Sequence, residues 1–217
     1  MTRRVLIVAP HADDEVLGCG GTILAHVARG DRVGVVILSN RVLNHTEDSA
    51  YIADTKRIAG DVGALLGIEE VVFGDLRDEQ LDRQLIDVIM PIERAVERTS
   101  PDIVYVPHGD DTDQDHRAVA AACRVACRGV DAVVTYEVPG PTRHFRPNHY
   151  VDIAPYLDRK IAAMQRYEGE LRPYPHPRSP EGLRIHAQFR GLESNLQAAE
   201  AFVIERYIRR GSGKSRV

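Results

Sequence analysis

At 217 residues, with a formal net charge of -4 and 43% hydrophobic against 28% charged residues, the chain has the composition of one globular domain. Such a domain buries roughly 70% of its unfolded surface without disulfides. The charge balance leaves no basic excess for nucleic acid. The first apolar run, VLIVAP, ends at His11, too short for a signal h-region or a membrane span, so a cytoplasmic protein with no membrane insertion is expected.

In chain order, residues 5–10 are the continuous apolar run of a parallel strand buried on both faces. From residue 15 to 29 apolar side chains recur at helical intervals (Val16, Leu17, Ile23, Leu24, Val27), and Gly30 with Asp31 supplies a stop before a second strand at 33–38. The alternation continues with a helix over 55–66, a strand at 71–73, a helix over 81–98 and a strand at 103–107. A helix over 117–128 and a strand at 132–136 follow. A short strand at 151–153, a helix over 156–167, a Pro-rich stretch, a helix over 183–202 and a strand-like VIERYI close the chain. This order predicts an α/β fold, Rossmann-like, with a mostly parallel sheet and helices on both faces, forming a single domain over 1–210. Residues 211–217 read as a disordered tail. Of the three cysteines, Cys123 and Cys127 fall four apart in an Ala-rich helical stretch, which fits a buried reduced pair better than a disulfide or metal site.

Two polar clusters lie just past strand ends, where parallel sheets bind their ligands. PHADDE (10–15) follows the first strand, and HGDDTDQDHRAV (108–119) follows the strand at 103–107. A single Asp in such a place is ordinarily a helix cap favoured by the macrodipole. Two clusters on one sheet edge instead gather charges that repel unless neutralised, and a cation is the simplest remedy. Imidazole mixed with carboxylate favours zinc or a similar transition metal over magnesium or calcium. His11 and Asp14, three apart across a tight turn, can both point at one ion. His116 from the second cluster could complete a His2Asp set, and Asp13 would then be left over beside the attacking water.

PHADDE resembles the (P/A)HPDDE signature, and DQDHRAV the xDHRxV signature, of the PIG-L or LmbE-like zinc-dependent N-acetyl-sugar deacetylases. LLG (65–67), PDIVYVP (101–107), YEVP (136–139), FRPNHYVDI (145–153) and AAEAF (198–202) are similar to further landmarks of that family in the same order. The resemblance implies metal ligation by His11, Asp14 and His116, a general base at Asp13, and Zn2+ as cofactor, with Fe2+ or another divalent transition metal as alternatives. It also implies a small-molecule N-acetyl amino-sugar substrate, and a homo-oligomer is compatible with it.

The chain departs from the pattern in places. Ala12 replaces the signature's proline, and Asp113 stands where some members carry a histidine three residues before the last ligand, which leaves the electrophilic role open to His108, His144 or His149. The R-x-x-E pair of many relatives falls on Thr55 and Ile58, with Arg57 nearby as a substrate-binding candidate. The segments 40–49, 139–149 and 172–180 are the expected substrate selectors. Two other classes compete: a two-metal phosphoesterase built on Asp110, Asp111, Asp113 and Asp115, and a nucleotide-binding protein using Gly18, Gly20 and Gly21. The second fails at Ile23, which replaces the third glycine, and at Asp13, Asp14 and Glu15, whose charge repels a pyrophosphate. The glycines are expected to allow close packing of the first helix instead.

Overall fold

The computed structural model describes residues 2–40, 49–140 and 144–211. Four βα steps and a fifth strand come first: β1 (Arg4–Ala9), α1 (Asp14–Ala28), β2 (Arg32–Ser39), α2 (Ser49–Leu66), β3 (Glu70–Leu76), α3 (Leu85–Thr99), β4 (Ile103–Pro107), α4 (Gln114–Ala126) and β5 (Ala132–Tyr136). The chain then adds β6 (His149–Asp152), α5 (Leu157–Met164), α6 (Pro180–Ser194) and β7 (Ala199–Tyr207). The seven strands form one sheet in the order β3-β2-β1-β4-β5-β7-β6. β1 to β5 are parallel, and β7 runs antiparallel to both β5 and β6. The fold is the expected single-domain α/β architecture.

Alternation along β1 explains why its apolar run is unbroken. Val5, Ile7 and Ala9 join a core built with α1, α2 and α5, whereas Leu6 and Val8 join one built with α3 and α4. A strand covered on both faces has no solvent side to mark with polar residues. The strand order reverses between β1 and β4, which makes their carboxyl ends the switch-point crevice of the sheet.

Several boundaries differ from the sequence reading, α2 beginning at Ser49 and α4 at Gln114 among them, and two differences have a clear physical cause. The last helix stops at Ser194, where Asn195 takes a left-handed C-cap (φ 59°) and donates its N–H to Gly191 O. Residues from Ala199 onward are strand, with Phe202 opposite both Tyr136 and His149. Alanine's helix preference is a weak prior that pairing on both sides of β7 overrides. The third helix begins at Leu85, because Leu81 is instead buried with its N–H donated to the Asp115 carboxylate. The expected tail lies, but for Gly211, outside the described residues, as do most of 40–49 and residues 141–143 of the expected selectors.

The glycines of α1 pack as expected. A Cβ at Gly18 would stand 2.2 Å from the ring of Tyr136, which is fully buried and donates its hydroxyl to Val8 O. A Cβ at Gly21 would meet Ile153 at 2.5 Å. Farther along α1, the Gly21 and Thr22 N–H groups donate to the buried Glu200 carboxylate, and Lys160 donates to both Glu200 and Leu17 O. Gly18→Ala is therefore expected to destabilise the protein by about 1–3 kcal/mol, the usual cost of overpacking a rigid core. Denaturant melts of the variant check this, and an unchanged midpoint would show that Tyr136 can move aside.

Candidate active site

The turn from β1 into α1 carries His11 to Glu15, all buried. Its sharpest feature is Asp13, which caps α1 at φ 127°, ψ -27° without a side-chain capping bond. A non-glycine residue in that region stores of order 1–3 kcal/mol of strain and persists only where its surroundings hold it. Here the Asp13 N–H donates to Glu15 Oε2 (3.0 Å), and the Tyr167 hydroxyl donates to Glu15 Oε1 (2.6 Å). Burial pushes the Glu15 carboxyl up to about 7, even though the Tyr167 bond opposes the rise. Asp13 Oδ2 itself lies 3.3 Å from Arg178 Nη1.

The two polar clusters meet, because β1 and β4 are neighbours. Asp14 Oδ2 sits between two imidazoles, 3.3 Å from His11 Nδ1 and 3.2 Å from His116 Nε2. His11 Nε2 faces Asp78 Oδ1 at 2.8 Å and Asp115 Oδ2 at 3.2 Å, while His116 Nδ1 faces Asp111 Oδ2 at 3.4 Å. Asp115 is fixed in turn by the N–H groups of Glu79 and Leu81. The capping role that a lone Asp suggests belongs to Asp113, which accepts from Asp115 N at 2.8 Å to start α4.

Electrostatics follow from this packing. Burial by itself would lower both imidazoles, but Asp115, Asp14 and Asp78 hold His11 well above the usual histidine range, and Asp14 with Asp111 pushes His116 up to about 10. Burial would raise Asp14, yet His116 and His11 hold it well below the usual carboxylate range. These carboxylates demand positive charge in their midst, supplied by protons on the imidazoles or by a cation. His11 with Asp113 and His116, and His11 with Asp78 and Asp115, each bring three ligand atoms within 4.8 Å of one another. Asp14 fits a metal as well: among the described residues its buried Oδ1 has no hydrogen-bond partner. Its other oxygen, Oδ2, faces the two imidazoles and also accepts the backbone N–H of His11 at 2.9 Å.

The remaining candidates are scattered. Arg57 borders a cavity of about 450 Å³ shared with Ala12 and Tyr167, but its exposed guanidinium is engaged by Asp54 and Asp61 on its own helix. His108 packs edge-on against Phe145, and His144 is exposed at φ 61°. His149 lines a different cavity with His26 and Tyr105. Among the described residues His144 and His149 make no hydrogen bond or ion pair with the cluster, and His108 accepts the Asp110 N–H at Nδ1 (3.4 Å) without reaching His11, Asp14 or His116. Two residues that the sequence reading does not name individually do reach the site. Asp78 follows β3 as the other acids follow β1 and β4, so the same strand-end logic would have found it. Arg178 comes from the Pro-rich segment 172–180, which the sequence reading expects to select substrate but in which no motif singles out this residue.

Fold and site together define the class: an α/β enzyme with a histidine and carboxylate centre at the switch point of its sheet. The profile of the PIG-L family, described as GlcNAc-PI de-N-acetylase, matches residues 6–127, more than half of the chain, and the chain belongs to that family. An Escherichia coli protein called an uncharacterized deacetylase, YaiS, is 28% identical over 170 residues, covering 76% of this chain and 90% of its own length. A Bacillus anthracis protein called a probable N-acetyl-alpha-D-glucosaminyl L-malate deacetylase 2 is 28% identical over 192 residues, 78% of this chain and 82% of that protein. Among solved structures, GalB, the 4-carboxy-2-hydroxymuconate hydratase of Pseudomonas putida, superposes with a TM-score of 0.81 at 21% identity, covering 99% of this chain and all of that one. That likeness establishes the fold, and a hydratase on it shows that the fold alone does not set the reaction.

Proposed function

We propose that this chain is a metal-dependent deacetylase that removes the acetyl group from an N-acetylglucosamine-type sugar conjugate, releasing acetate and an amino sugar. The observation that carries the reading is the position of Asp14 between His11 and His116, with Asp13 beside them in a strained, fully buried turn. His11, Asp14 and His116 would hold the ion, zinc or iron(II) by the chemistry of the donor set. Asp78, Asp115 and Asp111 would orient the two imidazoles from behind, as outer-shell carboxylates do. When bound, the ion supplies Lewis acidity that lowers the pKa of water towards ~7 and polarises a carbonyl.

The residues of the chain manage the proton. Asp13 takes it from the attacking water as the new C–O bond forms and returns it to the amine nitrogen as the C–N bond breaks. N-acetylglucosamine conjugates are supported by the family's description and by the name of the Bacillus relative. The three free cysteines are all buried, which fits a reducing compartment and supports a cytoplasmic enzyme. Among the described residues no helix is long and apolar enough to cross a membrane.

Metal-loaded protein assayed against a panel of N-acetylglucosaminides is expected to release free amine and acetate in equal amounts, and to leave a generic phosphate ester intact. Phosphate release without amine release would overturn the reading in favour of a phosphoesterase.

A further inference from the structure

Amide hydrolysis needs a donor for the charge that develops on the carbonyl oxygen, and the second cluster does not offer the usual one. Asp113 stands where some members of the family carry a histidine, and its carboxylate accepts the Asp115 N–H. A carboxylate spent as a helix cap cannot donate to an oxyanion.

A cavity of about 530 Å³ is lined by His116, by Asp111 and Asp113, and by Arg172, His176 and Arg178. Of these three basic residues, Arg172 is exposed and gives its Nη1 donors to the carbonyls of Gly169 and Leu171. His176 is exposed as well. Arg178 differs: it is about three-quarters buried, and its Nη1 lies 3.3 Å from Asp13 Oδ2 and 3.1 Å from Glu170 Oε2. Its Nε and Nη2 make no hydrogen bond among the described residues. The backbone beneath it is fixed, because the next residue, Ser179, is fully buried and caps α6 by accepting from Gly182 N at 2.9 Å.

We propose that Arg178 is a catalytic residue of this site, presenting guanidinium N–H groups and a fixed positive charge to the acetamide oxygen as it becomes an oxyanion. The inference rests on the deacetylase reading and adds to it the electrophile that the second cluster lacks. Geometry supports it: a group 3.3 Å from the carboxylate that receives the proton borders the same reacting centre. Chemistry divides the labour. A guanidinium offers N–H donors and no acceptor, so Arg178 stabilises charge by donating hydrogen bonds. The proton taken from water therefore passes through Asp13 to the departing nitrogen, and acetate and amine leave. A preorganised donor of this kind contributes ~10²–10³ to kcat.

The test compares metal-loaded wild type, Arg178→Met and Arg178→Lys in three measurements: kcat and KM taken separately, metal content with melting temperature, and calorimetric binding of methylphosphonate, a tetrahedral anion. Arg178→Met is expected to lose ~10²–10³ in kcat, to keep its metal and fold, and to bind methylphosphonate at least about tenfold more weakly, as loss of a charge-assisted bond requires. Arg178→Lys is expected to recover part of both losses. Wild-type kcat in Arg178→Met, a change in KM alone, or unaltered methylphosphonate binding overturns the proposal. If the wild type deacetylates nothing, the deacetylase reading fails, and the methylphosphonate result still decides whether Arg178 faces an anion at this site.

Discussion

Asp13→Asn is expected to keep its metal near wild-type levels and to lose ~10²–10⁴ in kcat, the usual contribution of a positioned general base. Asp13 and Asp14 are adjacent and chemically alike, but the backbone separates them. Asp14 starts the regular helix and points its carboxylate between two imidazoles, whereas Asp13 is turned away at φ 127° toward Arg178. An amide at Asp13 is nearly isosteric, so substrate binding and fold should survive. It cannot take a proton, so turnover should be lost while the metal stays bound. Steady-state kinetics beside metal analysis reads both effects, and full turnover by a metal-loaded Asp13→Asn enzyme would move the base elsewhere.

The second large effect concerns the metal itself. His116→Ala and Asp14→Asn are each expected to lose most of the bound metal, because a neutral amide is a poor ligand for zinc, while Asp113→Asn keeps it. The reverse result would make Asp113 the third ligand, as its grouping with His11 and His116 allows. Stripping metal from the wild type should cost about 2.7–4.1 kcal/mol when the ion had been present at 100 to 1,000 times its Kd.

That cost should depend on pH in a definite direction. In metal-free protein the imidazolium of His116 is the counter-charge, and its pKa is pushed up to about 10 from an unfolded value near ~6.5. A group raised on folding stabilises fully below its unfolded pKa and loses that contribution as pH climbs through the folded one. Metal-free protein should therefore melt at progressively lower temperature between pH ~6.5 and about 10, and His11, raised for the same reason, adds to the trend. Metal replaces those protons, so the loaded protein should show less of the decline. Thermal melts with and without chelator across this range check the claim, and coincident curves would remove the cluster from metal binding.

Much of this protein is legible in its sequence because the signals are local. Unbroken apolar runs such as VLIVAP and IVYVP mark strands covered on both faces, helical spacing marks α1, and two acidic and histidine-rich segments directly follow strands. From those comes the parallel α/β fold, and from the two signature-like segments the proposal of His11, Asp14 and His116 as ligands with Asp13 as base. What the tertiary structure decided is through-space. Strand order sets β1 beside β4 and so brings His11 to Asp115, 104 residues away. The same order adds Asp78 from the end of β3, and the return of the chain past α5 delivers Arg178 to Asp13. Ala199–Phe202 reads as helix by composition and becomes strand because β5 and β6 offer hydrogen bonds on both sides. Local propensity is a fraction of a kcal/mol per residue. Pairing and burial against distant elements outweigh it, and no window of sequence contains their partners.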